Sequence, residues 1–491
     1  MSAPSAHKPS GNHDTFFWLG QINKSSLIIN ADEGLLDHTL ARKIAAGLHR
    51  VLQAGDDEHG SRPSLVITFE PLLIEEAGVE ATGLHAGRSS QDMVTTAYTA
   101  ALREETLRLA DQLLATCGSL VRLAEAHTDT IVPCYTNGVA AQPNSYGHVV
   151  LGHVAGVLRD LERLQEYYRR LDRCPMGTTV LNGTGFPLNR NRMAAYLGFS
   201  ALAENAYDAV QITAVEMPVE LGALATAIAL HAGAFIQDVM VQYAMPRPWI
   251  LLKEGNGATY VSSAMPQKRN PGLLNNTRAE ASRVVTLGVG RAVQAHNIPP
   301  GMPDGKALRD NMAVMQGATG VLVQWEQILN TLYIKPERAL EELNRDWTAS
   351  QELADTLMRC HGLPFRVGHH FASELVDYAR TNDICPSAFP YAQAQSIYDK
   401  TLRDMGMPGG NPLPMDEAEF RAALDPVAIV RNRVTVGGPQ PAEMMRMLKL
   451  AKQSIADGES WVQSRRQWFE DALSRLDTDF KKLLDFTEQR V

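Results

Sequence analysis

The chain has 491 residues, with 46 basic and 55 acidic side chains and a formal charge of −9. That length is ample for a large buried core and suggests roughly three domains of ordinary size. A hydrophobic content of 45% with ordinary glycine and proline usage excludes disordered, collagen-like and low-complexity classes, and the acidic balance disfavours generic binding to nucleic acid.

Met1 to Asp14 carries Ser, Pro, Gly and His without the apolar core of a signal peptide, and reads as a frayed tail. Ser26 to Ile29 and Ser64 to Thr68 give short strand signals, too few for a substantial sheet. Met93 to Thr128 reads as one long helix. In the next helix Val150, Val154, Val157, Leu161, Leu164, Tyr168 and Leu171 alternate steps of four and three, the seam of a bundle helix. Leu202 to Tyr243 and Leu273 to Ala295 are further long periodic stretches, and Pro218 is expected to kink or break the first of them near its start. Leu221 to Ile236 is apolar, but it is interrupted by His231 and falls short of the roughly twenty residues of a membrane span, so a buried helix of a soluble protein is expected. Beyond about residue 341, shorter helices are broken by Pro386, Pro390 and the Gly/Pro cluster from Met407 to Pro414. The fold class is mainly α. A mixed N-terminal domain covers 1–87, a central long-helix bundle 88–340 and a small helical C-terminal domain 341–491. Long helices with wide apolar faces also tend to oligomerise.

The five cysteines include no CxxC pair, which fits a reducing, cytoplasmic setting and neither a disulfide framework nor a structural zinc. His148 and His153 lack the i, i+4 spacing of a helical metal pair, so His148 is expected as an active-site rim or structural histidine, and the neighbours His369 and His370 point to different faces, so structural roles are expected for that pair. No metal site emerges.

The most unusual local sequence runs from Glu254 to Pro271, opened by Gly255 and Gly257 and punctuated by Pro266 and Pro271. A long loop between two long helices serves either as a plain polar connector or as a binding segment or lid. It holds Ser262, Ser263, Lys268 and Asn270. A serine can act as a base only where its alkoxide is stabilised, which a nearby ammonium, amide donors and a helix N-terminus can do.

Ser262-Ser263-Ala264-Met265-Pro266-Gln267-Lys268-Arg269-Asn270-Pro271 resembles the Gly-Ser-Ser-x-Met-Pro-x-Lys-x-Asn-Pro signature loop of the aspartase/fumarase superfamily, with Val261 in place of the leading glycine. Gly87-Arg88-Ser89-Ser90-Gln91-Asp92 and Tyr135-Thr136-Asn137 through Ala141-Gln142-Pro143 are similar to two segments of the argininosuccinate lyase family, as are Gly183 to Pro187 and Leu363 to Arg366. The resemblance implies a three-domain aspartase/fumarase-like fold and a lyase without metal or organic cofactor, acting on a small dicarboxylate or amino-acid substrate. It implies Ser262 as the base that removes a Cβ proton, and Lys268 and Asn270 as the holders of the carboxylate and the aci-carboxylate intermediate. Ser89, Ser90, Gln91, Thr136, Asn137, Gln142, Ser263 and Met265 would bind substrate, in active sites shared by three subunits of a homotetramer.

The departures narrow this reading. Asn137 stands where the superfamily has a histidine, and an amide cannot titrate near neutral pH. Ser90 and Gln91 replace an Arg-Asn pair and so remove a bidentate carboxylate clamp. Pro299 to Asp310 lacks the Tyr and the Gln-Glu-Asp-Lys run of argininosuccinate lyase, leaving Arg309 or Lys306 as the replacement positive charge. The sequence therefore leads to a carbon–nitrogen lyase that releases fumarate from an N-substituted aspartate other than argininosuccinate. The alternative is a non-catalytic, crystallin-like structural homologue of the tetramer.

Overall fold

The computed structural model describes residues 13–302 and 304–485. Of the tail expected over Met1 to Asp14, residues 1–12 lie outside the described residues, whereas Asp14 caps the first helix by accepting the Phe17 N–H at 2.9 Å. In chain order come α1 (Thr15–Asp32), α2 (His38–Asp56), α3 (Val66–Ala77), α4 (Ser90–Ala126), β1 (Ile131–Thr136), β2 (Val139–Ser145), α5 (Tyr146–Leu171) and β3 (Arg173–Cys174). There follow α6 (Arg190–Tyr196), β4 (Ala201–Leu202), α7 (Thr213–Tyr243), β5 (Ile250–Leu252), β6 (Tyr260–Val261), β7 (Arg269–Asn270), α8 (Gly272–Ala295), α9 (Leu308–Thr331) and β8 (Leu332–Ile334). The chain ends in α10 (Pro336–Arg345), α11 (Ser350–His361), α12 (Phe365–Thr381), α13 (Tyr391–Asp404), α14 (Glu417–Leu424), α15 (Pro426–Arg431) and α16 (Pro441–Asp485). The fold is mainly α, as the periodicity implied, and strand pairing among the described residues is confined to four two-stranded ladders.

Helices α4, α5, α7, α8 and α9 share one hydrophobic core, into which α16 also inserts Met444, Leu448, Ala451 and Val462. The seam read from the sequence of α5 is buried at every one of its seven positions. α7 and α8 meet backbone to backbone: a β-carbon on Gly288 would lie 2.4 Å from the Gly222 carbonyl oxygen. Gly288→Ala is therefore expected to cost about 1–3 kcal/mol through overpacking, read as a lowered Tm with helix content retained. An unchanged Tm would show that the two helices separate freely.

A second core joins α1, α2 and α3 to the first turns of α4, to α6 and to Leu476 and Phe480 near the end of α16. A third gathers Trp347 to Ile429 from the shorter C-terminal helices. Buried Arg103 of α4 holds the connection after α5: its guanidinium donates to Asp172 Oδ1 (2.6 Å) and to the carbonyls of Gly198 (2.6 Å) and Leu197 (2.9 Å), and lies 3.6 Å from the centre of the Phe199 ring. Desolvating a charge is costly unless every donor direction is met, and here carbonyls and a carboxylate meet most of them.

Two local expectations change. Ser26 to Ile29 lies inside α1, and Ser64 to Thr68 is a loop leading into the first turn of α3. α1 is buried along most of its length, with polar Gln21, Asn23, Ser25, Ser26 and Asn30 buried among its apolar residues, and a helix without a segregated apolar face loses the 3.6-residue pattern that distinguishes it from a strand. Pro218 does not break its helix: α7 runs through it, preceded by a wide π-turn at Asp208–Ile212. Asp208–Tyr243 is long and apolar enough to cross a membrane, but only half of its most apolar window is buried within this chain. Leu230 of α7, Val289 and Val293 of α8 and Val323 of α9 remain exposed.

Candidate active site

The Glu254–Pro271 segment is more ordered than a loop between helices needs to be. β6 and β7 pair antiparallel, Tyr260 opposite Asn270 and Val261 opposite Arg269, so Val261, where the superfamily signature has glycine, is an exposed ladder residue. Between the strands the turn folds on itself, with the Ser262 N–H donating to the Lys268 carbonyl at 3.2 Å and the Lys268 N–H to that of Met265 at 3.0 Å. Two backbone N–H groups, of Ala264 (3.4 Å) and Met265 (3.2 Å), donate to Ser262 Oγ. Donors aimed at a hydroxyl oxygen favour its anionic form. The Asn270 amide donates to the Tyr260 carbonyl at 3.4 Å, and Arg269 pairs with Glu254 at 2.8 Å. Ser263, Met265 and Lys268 are exposed on this turn, and the structure gives the Lys268 ammonium no partner among the described residues.

Ser89, Ser90 and Gln91 form the start of α4. Ser89 is the N-cap of a capping box: its Oγ accepts the Gln91 N–H at 3.3 Å, while Asp92 Oδ1 accepts the Ser89 N–H at 2.9 Å. The other oxygen of Asp92 accepts the N–H groups of Thr178 (3.1 Å) and Thr179 (3.0 Å). Burial raises the Asp92 carboxyl above the usual carboxylate range, against the downward pull of these donors. Thr179 and Val180 have φ of 47° and 71°, left-handed values that are costly for branched side chains. Asp92 thus clamps a strained turn beside the N-terminus of a 37-residue helix, an end suited to carboxylates. The S-x-x-D spacing of Ser89 to Asp92 carries this signal in the sequence, whereas the contact to Thr178 and Thr179 has no local trace. Arg88 turns away from the helix start and donates to Asn23 Oδ1 (3.0 Å) and Ser26 Oγ (3.1 Å) of α1.

Thr136 and Asn137 stand at the tip of the β1–β2 hairpin, both exposed. Thr136 pairs with Val139 across a two-residue turn in which Asn137 (φ 53°) and Gly138 (φ 77°) are both left-handed. That is the backbone of a type I′ turn, for which Asn-Gly is the favoured pair. The asparagine in place of the superfamily histidine therefore has a local structural reason. Gln142 reaches from β2 to the Gln351 side-chain oxygen at 2.8 Å, and His148 Nε2 lies 2.8 Å from the Gly437 carbonyl.

A single chain does not bring these three segments together. Thirty-seven residues of α4 separate Ser90 from the hairpin end of the bundle, about 55 Å at 1.5 Å per residue. The Ser262 turn follows α7 at the hairpin end, and among the described residues no hydrogen bond joins it to the hairpin tip. Lys306 donates to the Val210 carbonyl at 2.8 Å, and burial lowers its pKa. The Arg309 side chain is 96% exposed, 3.5 Å from Asp310.

Two family profiles match the chain, one described as lyase over residues 65–286 and one as argininosuccinate lyase C-terminal over residues 347–431, together more than half its length. The argininosuccinate lyase of Methanosarcina acetivorans is 28% identical over 89% of this chain and 88% of its own. That of Methanocaldococcus jannaschii is 28% identical over 90% and 89%. Among solved structures, an EDDS lyase in complex with formate has a TM-score of 0.83 at 22% identity, covering 97% of this chain and 93% of that one. A fumarate lyase from Mesorhizobium sp. BNC1 has a TM-score of 0.66 at 17% identity, covering 90% and 96%. These structures share the fold, and with the profiles and the signature turn they place the chain in the aspartase/fumarase superfamily, as a carbon–nitrogen lyase.

Proposed function

We propose that this lyase catalyses reversible anti elimination of an amine from an N-substituted aspartate, giving fumarate, in a soluble homotetramer whose active sites each draw on three subunits. The observation that carries the reading is the Ser262 oxygen facing two backbone N–H donors in a turn that also presents Lys268 and Asn270. Ser262 takes the Cβ proton as an alkoxide held by those donors. The Lys268 ammonium and the Asn270 amide hold the neighbouring carboxylate as it gains charge, where preorganised donors count most. Ser89, Ser90 and Gln91, at the positive end of α4, receive the second carboxylate, with Thr136 and Gln142 from another subunit. Ser263 and Met265 line the turn over the bound succinyl group. Arg309, whose side chain is exposed and, among the described residues, paired only with its neighbour Asp310 at 3.5 Å, is available to a substrate held between subunits.

Argininosuccinate is not the substrate in this reading, because Ser90, Gln91, Asn137 and the Pro299–Asp310 segment depart from its binding residues. The relatives support a fumarate product: an EDDS lyase variant with bound fumarate has a TM-score of 0.83 with this chain. The length of α4, which keeps its start far from the hairpin end, supports a site drawn from more than one subunit, and the exposed Leu230, Val289, Val293 and Val323 supply apolar surface for helix-to-helix assembly.

Incubation with fumarate and a panel of amines is expected to consume the fumarate absorbance and yield an N-substituted aspartate by mass spectrometry. No product with any amine, from a protein shown to be a folded tetramer, would favour the crystallin-like structural homologue instead.

A further inference from the structure

The Tyr135 hydroxyl, one residue before the Thr136–Asn137 tip, is where β1, α7, α10 and the connection before β5 meet. It donates to Glu342 Oε1 of α10 at 2.5 Å and accepts the Gln242 Nε2–H of α7 at 3.0 Å and the Trp249 Nε1–H at 3.2 Å. Its one donor and two acceptor positions are therefore all used. Gln242 closes the ring, since its Oε1 accepts the Trp249 backbone N–H at 3.3 Å. The β1–β2 register slips between Cys134 and Tyr135, a bulge of the kind that re-aims the side chain beside it. Burial, together with the Glu342 carboxylate, raises the phenol far above the range in which it could ionise at neutral pH. The hydroxyl is thus a fixed hydrogen-bond donor and no acid–base group.

From this geometry we infer that Tyr135 is a positioning residue, whose hydroxyl pins the hairpin tip to the end of α7, to Trp249 at the approach to the Ser262 turn, and to α10. The inference rests on the proposed role of Thr136 at the hairpin tip. Without the hydroxyl the hairpin keeps its ladder, but its tip is free to tilt. Misplacing a reacting group by about 1 Å costs on the order of 100-fold in rate.

The test compares Tyr135→Phe, Glu342→Ala and Glu342→Gln, the last of which keeps an acceptor for the phenol. With an amine the wild-type protein accepts, Tyr135→Phe and Glu342→Ala are expected to lose about 10- to 100-fold in kcat with a smaller change in KM for fumarate, and Glu342→Gln to recover most of the loss. Hydrogen–deuterium exchange should quicken in residues 131–145 and stay as in the wild type in α4 and α5. Wild-type kcat in Tyr135→Phe, or unchanged exchange in the hairpin, overturns the inference. A wild-type protein silent with every amine would count against the proposed function, while the exchange measurement would still decide whether Tyr135 pins the hairpin.

Discussion

Ser262→Ala is expected to lower kcat for amine addition to fumarate on the order of 1,000-fold, within the range that a positioned general base contributes, while leaving fold and assembly intact. The Oγ is the acceptor for two backbone N–H groups in a turn whose other hydrogen bonds run main chain to main chain, Ser262 to Lys268 and Lys268 to Met265. Removing the hydroxyl therefore deletes the base without unmaking the turn, and Ala264 and Met265 are exposed enough for water to satisfy their N–H groups. KM for fumarate should move far less than kcat, because the carboxylates are held by other residues. Circular dichroism and light scattering establish that the variant is folded and assembled. A variant with activity within threefold of the wild type would remove Ser262 from the mechanism.

A mixture of two inactive variants is expected to regain activity. Ser90→Asp places a carboxylate at the first turn of α4, where it suits the helix but repels a substrate carboxylate, and Ser262→Ala lacks the base. Where the α4 start and the Ser262 turn of a site come from different subunits, random 1:1 assembly leaves about a quarter of the sites with both segments intact, by the statistics of a symmetric oligomer. Refolding the two variants together and assaying the mixture reads that fraction. A mixture as inactive as its components would mean that each site takes both segments from one chain.

The long helices were legible because each buries one stripe and exposes another, so α4, α5 and α8 stand close to where their periodicity put them. α1 was not legible as a helix, since it is buried along most of its length and has no polar face to mark the turn. The signature turn could be recognised by its residues, but the role of its backbone could not: the donors to Ser262 are the main-chain N–H groups of Ala264 and Met265, whose side chains say nothing of it. Asn137 read as the loss of a histidine, and only its φ of 53° beside Gly138 shows what the turn asks of that position. Tyr135 and Asp92 act across 107 and 86 residues, to Gln242 and Thr178, distances at which no local pattern survives.

The 37 residues of α4 also carry a consequence of mass action. With the helix start and the hairpin held about 55 Å apart in every copy, a catalyst assembled from several chains exists only as far as its copies associate. Specific activity should then fall as the protein is diluted below its dissociation constant, and it should return on concentration without any refolding of the individual chain.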